Sequence, residues 1–67
     1  MLQRNEVNSI KLAELRKSRG LSQERLSVLS GVHRVTIARL ETGKQIPKLP
    51  TMTRLAKALE VGIDELV

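Results

Sequence analysis

The stretch "GVHRVTIARLETGK" over residues 31–44 sets two arginines and a threonine against a pair of aliphatic side chains. Ile37 and Leu40 are three apart and share one face of a helix, while Arg34, Val35, Ala38 and Arg39 point elsewhere. An arginine on that outer side can pair bidentately with two acceptors, such as O6 and N7 of guanine, and a valine tip can touch a thymine methyl. A plain surface helix can carry the same pattern, and so can a helix built to lie in a DNA groove. No other chemistry competes for these residues. The sequence holds no nucleophile–base pair, no paired carboxylates and no phosphate-cradling glycine loop. With one histidine and no cysteine it cannot assemble a zinc site. Enzymatic activity, a cofactor and a bound metal are therefore not expected.

The elements that position these side chains must come from a short chain. Sixty-seven residues make one small domain that buries only about 60% of its unfolded surface. Without disulfides or aromatic residues, its stability must come from packed aliphatic side chains. The lack of aromatic rings also argues against single-strand binding, which stacks bases on such rings. The formal charge of +5 points to a polyanionic partner. From Arg16 to Lys48 there are eight basic residues and two acids, against four and five in the remainder. The positive excess is therefore confined to the middle of the chain. No run approaches the roughly 18 apolar residues of a membrane span, and "MLQRNEVNSI" has no apolar core of a signal peptide. A cytoplasmic location without a membrane partner is the expectation.

The periodicity is helical throughout, punctuated by glycine and proline. A loose arm is expected over residues 1–8 and a folded domain over 9–67. A first helix spans about Ile10 to Ser18, capped by Asn8 or Ser9 and ended by Gly20, with Leu12 and Leu15 inward. Ser22 caps a second helix from about Gln23 to Ser30, in which Leu26 is the inward anchor and Ser27 is small enough for a close neighbour. Arg25 stands where a capping box would have Glu or Gln. Gly31 and Val32 form a break before a third helix, about Arg34 to Thr42, with His33 at its cap and Gly43 closing it. After the loop "KQIPKLP", a fourth helix runs from Pro50 or Thr51 to Glu60, burying Met52, Leu55, Ala56 and Leu59. A short fifth helix contains Ile63 and Leu66. The expected fold is all-α, with five helices around one aliphatic core.

Two helices joined by a tight glycine-containing turn in a basic all-α chain suggest a helix-turn-helix. Ser27 permits the helix contact, Gly31 the turn, and Ile37 with Leu40 the buried stripe, leaving Arg34 and Arg39 to reach outward. The segment from Leu12 to Leu66 resembles the Cro and phage-repressor-like helix-turn-helix family, also called Xre-like. The resemblance rests on Leu15-Arg16, Gly20-Leu21-Ser22-Gln23, Leu26, Gly31-Val32, Ile37, Leu40-Glu41, Gly43-Lys44, Pro47, Leu49, Leu55-Ala56, Ala58-Leu59 and Val61. Each piece is weak alone; their order and spacing together are specific.

The resemblance implies a five-helix, lambda-repressor-like domain and a role for each matching residue. Arg34, Val35 and Arg39 fall on the family's base-reading positions. Gln23 falls where the family places a DNA-backbone contact that supports its neighbour. Thr42 and Lys44 match positions that contact phosphates, while Thr36 and His33 could bond a phosphate or satisfy a local backbone group. Arg16 and Glu41 match a partly buried ion pair that ties the first helix to the third, a structural rather than a DNA role. The implied function is sequence-specific binding of double-stranded DNA as a homodimer, regulating transcription, with repression the leading sense. The alternative is an antitoxin or protein-interaction module of the same fold, served by Val28, Leu29, Leu66 and Val67.

Overall fold

The structure, a computed structural model, describes residues 8–67. The arm expected over residues 1–8 therefore lies outside the described residues, apart from Asn8. The described chain forms four α-helices: α1 (Ser9–Ser18), α2 (Gln23–Ser30), α3 (Arg34–Glu41) and α4 (Leu49–Leu59). They are followed by a 3-10 turn, Ile63–Glu65. Among the described residues there is no strand.

Each helix begins where a side chain or a proline suits its first turn. Asn8, rather than Ser9, caps α1, its Oδ1 accepting the Lys11 N–H at 3.1 Å. Ser22 Oγ accepts the Arg25 N–H at 2.9 Å to start α2. Helix α4 starts at Leu49, a residue or two earlier than expected, because Pro50 fits the first turn, where its missing N–H costs nothing.

Three of the four helix ends, those of α1, α3 and α4, share one geometry. After α1, the Leu21 N–H reaches back to Arg16 O at 3.1 Å; after α3, Lys44 N–H reaches Arg39 O at 2.9 Å; after α4, Val61 N–H reaches Ala56 O at 2.9 Å. Each closure needs a left-handed residue just past the helix. Gly43 supplies it after α3 with φ 73°, but after α4 the position is held by Glu60 with φ 61°. Glu60 is thus a cap, not the last helical residue. The expected fifth helix is a single 3-10 turn closed by Glu65 N–H to Gly62 O and Leu66 N–H to Ile63 O.

Helix α2 packs on α3 and α4, α1 packs on α3, and the 3-10 turn packs on α4. The core between them is Leu12, Leu26, Val32, Ile37, Leu40, Met52, Leu55, Ala56, Leu59 and Leu66. Val32 lies in the break, as expected, and is also buried: the turn between α2 and α3 folds its one apolar side chain inward. Leu15 and Ile63 only lean against the core. The N-terminal end is tied to the C-terminal one, since Asn8 N–H donates to Leu66 O at 2.6 Å.

Candidate nucleic-acid interface

Helix α3 is held from one side and open on the other. Ile37 and Leu40 are fully or almost fully buried, whereas Arg34, Val35 and Arg39 are exposed. Val35 and Arg39 are one helical turn apart, so they stand side by side on the outer surface. Val35 is 49% exposed, an apolar side chain left outside a core that had room for Val32.

The turn entering α3 is fixed by local hydrogen bonds. Gly31 takes the left-handed conformation, φ 76°, with its N–H on Ser27 O, and Ser30 Oγ accepts the Val32 N–H at 3.1 Å. His33 then caps α3: its Nδ1 accepts the Val35 N–H at 3.1 Å. A neutral imidazole that accepts at Nδ1 carries its proton at Nε2, so the ring offers an N–H donor at the start of α3.

The far end of α3 is anchored by a buried polar cluster. Arg16 Nε donates to Glu41 Oε2 at 2.6 Å and Arg16 Nη2 to Glu41 Oε1 at 3.1 Å, with the two side chains 10% and 6% exposed. Arg16 Nη1 donates to Leu21 O at 2.7 Å, so the guanidinium also grips the turn between α1 and α2. Gln23 Nε2 donates to Glu41 Oε1 at 2.9 Å and brings the start of α2 into the same cluster. Burial acts to raise the Glu41 carboxyl, but the hydrogen bonds from Arg16 and Gln23 and the charges of Arg16 and Lys17 outweigh it. The carboxyl is held below its ordinary value. The chain's three N-terminal elements thus converge on one carboxylate. The Gln23–Glu41 bond carries no local sequence signal, because it joins residues eighteen apart whose meeting depends on how α2 and α3 pack.

The remaining candidates differ in freedom. Lys44 is exposed just past α3, its backbone fixed by the closure at Gly43. Thr36 is half-buried. The Thr42 hydroxyl donates to Ala38 O at 3.0 Å and to Arg39 O at 3.2 Å, so its proton is already used within the helix. Of the four residues that served the protein-partner alternative, Val28, Leu29 and Val67 are exposed, but Leu66 is fully buried and belongs to the core.

A small basic helical domain whose second and third helices are joined by a three-residue turn, the third presenting cations outward, defines a class of nucleic-acid-binding module. The helix-turn-helix family profile matches residues 12–66. The chain belongs to that family, in its Cro and phage-repressor-like group. It is 44% identical over 59 residues to the cryptic phage CTXphi transcriptional repressor RstR of Vibrio cholerae, a match covering 88% of this chain and 53% of that protein. The restriction-modification controller protein C.AhdI from Aeromonas hydrophila has the same fold, with a TM-score of 0.85 at 39% identity, covering 88% of this chain and 89% of that one. The P22 c2 repressor, solved in complex with a synthetic operator, gives a TM-score of 0.84 at 26% identity, covering 92% and 94%. The chain spans about half the length of the first curated relatives it matches, 41% and 53%. No described helix is long and apolar enough to cross a membrane.

Proposed function

We propose that residues 9–67 form a DNA-binding domain that recognises a specific duplex sequence and regulates transcription, most directly as a repressor through occupancy of its site. The observation that carries this reading is the exposure of Arg34, Val35 and Arg39 on α3, whose opposite stripe is buried and whose end is clamped by Arg16 and Gln23. A helix held that firmly can present its outer side chains to base edges with little loss of freedom on binding. Arg34 and Arg39 read guanine acceptors, and Val35 contacts a thymine methyl. Gln23, His33, Thr36, Thr42 and Lys44 position the domain on the phosphates. His33 would use its Nε2–H, and Thr42 would exchange its carbonyl partners for a phosphate oxygen. Two copies dock with their third helices in successive major grooves, about 34 Å apart. The domain does no chemistry on its ligand and acts in the cytoplasm, where the DNA is. The names of its relatives, a phage repressor among them, support the regulatory role.

The test is affinity for duplex pools measured across salt concentrations. Counterion release predicts a linear fall in log affinity with log salt, with a slope of about −0.9 for each phosphate that a lysine or arginine neutralises. An affinity that stays flat from low to moderate salt contradicts the reading. The exposed Val28 and Leu29 support the alternative of a protein partner. Co-purification with a protein that survives nuclease and high salt would favour it.

A further inference from the structure

Eight basic residues lie between Arg16 and Lys48, and four of them already have a place: Arg16 in the buried pair, Arg34 and Arg39 on α3, and Lys44 just beyond it. Lys17, Arg19, Arg25 and Lys48 remain, all exposed. Lys17 is set apart by its surroundings. Its charge acts with that of Arg16 on the Glu41 carboxyl, and an opposite charge has this effect from within about 4–6 Å. Glu41 is bonded by Arg16 and Gln23 and is followed directly by Thr42. The Lys17 ammonium therefore lies where the end of α1, the start of α2 and the end of α3 meet.

The backbone of Lys17 is fixed at this junction. Its carbonyl accepts the Gly20 N–H at 2.9 Å, and the Leu21 N–H closes on the carbonyl of Arg16 at 3.1 Å. The side chain is not used by the fold. Among the described residues Lys17 makes no ion pair, neither with Glu14 one turn back nor with Glu41. Arg16 and Glu41 cancel each other, so one positive charge is left uncompensated beside Gln23. An ammonium is a point charge with three donors on a flexible stem, and it can hold a phosphate without a precise approach. We infer that Lys17 contacts a phosphate of bound duplex DNA, next to the one held by Gln23. This contact presupposes the duplex binding proposed above and adds the end of α1 to the surface that grips the backbone. It also gives the buried pair a second use. The bonds of Arg16 that clamp α3 hold the turn on which Lys17 stands, so the phosphate grip and the reading helix keep one fixed relation.

A lysine in the last turn also complements the negative end of the α1 dipole. That effect alters stability and not the salt dependence of binding, so the two roles are separable. The test is titration of the full chain with a pool of random-sequence duplexes across salt concentrations, alongside urea unfolding. Lys17→Ala should weaken binding to every sequence alike and lower the slope of log affinity against log salt by about one. Its urea midpoint at neutral pH should stay close to that of the wild type, as for an exposed charge. Lys17→Arg should restore the slope. Lys57→Ala, which removes a charge from the exposed side of α4, should leave the slope as it is in the wild type. A wild-type slope in Lys17→Ala, or an equal fall caused by Lys57→Ala, overturns the Lys17 contact while duplex binding stands. A wild-type affinity indifferent to salt overturns both.

Discussion

Arg16 and Glu41, twenty-five residues apart, form a two-pronged ion pair that joins α1 to the last residue of α3, and Gln23 closes it from α2. The pair sits at the edge of the core with little solvent around it. Its consequence is mechanical: the helix that carries Arg34, Val35 and Arg39 is fixed at the end opposite its His33 cap.

Breaking this pair from one side leaves a charge in poor contact with water. Arg16→Met should destabilise the domain by about 3 kcal/mol, enough to threaten folding in so small a chain. Arg16→Met with Glu41→Leu should recover most of that loss, because no buried charge is left over. Urea unfolding of the two variants checks this; a double variant no more stable than the single one contradicts it.

The same pair makes stability depend on acid. The Glu41 carboxyl is held below its ordinary value in the folded state, so folding favours its charged form. That contribution is complete above the unfolded glutamate range, about pH 4.3, and disappears as the pH falls through the folded value. The urea midpoint should hold steady from neutrality to about pH 5 and then drop. Glu41→Gln, having no carboxyl to titrate there, should start lower and lose less. Parallel pH curves for the two proteins would show that another group governs the acid limb.

Glu60 occupies a position that Gly43 holds in the equivalent closure of α3. A left-handed backbone costs a residue with a Cβ roughly 1–2 kcal/mol, part of which glycine returns in chain entropy. Glu60→Gly should therefore raise stability by about 0.5–1 kcal/mol and the melting temperature by a few degrees, roughly 4 °C. A lower melting temperature would mean that the Glu60 side chain makes a contact worth more than the strain.

His33 is an uncommon cap, and its loss should be felt at the start of α3. His33→Ala should cost about 1 kcal/mol, while His33→Ser, which also presents an acceptor to the Val35 N–H, should retain the stability. If the proposed phosphate contact exists, both variants should bind DNA more weakly, because neither keeps the ring's Nε2–H. Thermal melts and duplex titrations separate the two roles; equal melts for Ala and Ser variants would remove the cap from the account.

Much of this architecture is visible in the amino-acid order because it is local. Ser22, Gly31 and Gly43 mark helix ends by backbone chemistry alone, and Ile37 with Leu40 mark the inner side of α3 by spacing. What escapes such reading depends on tertiary packing. Val32 is legible as part of the break but not as a core residue, and Glu60 looks helical because its side chain gives no sign of a left-handed backbone. Leu66 looks free for a partner, yet it is fully buried in the core. At the site, the outward reach of Arg34 and Arg39 is legible in the pattern. The bond that Gln23 makes to the buried pair is not, because only the assembled helices bring it there.

The central claim is that α3 reads bases while the residues just beyond it hold phosphates. Selecting bound sites from random duplexes with the wild type, Arg39→Ala and Lys44→Ala tests it most directly. Arg39→Ala should relax preference at one base pair per half-site, by about 1–3 kcal/mol, and leave the other positions unchanged. Lys44→Ala should weaken every sequence alike and lower the salt slope by about one. Equal weakening at all sites by both variants, with the preferred sequence intact, would contradict the claim.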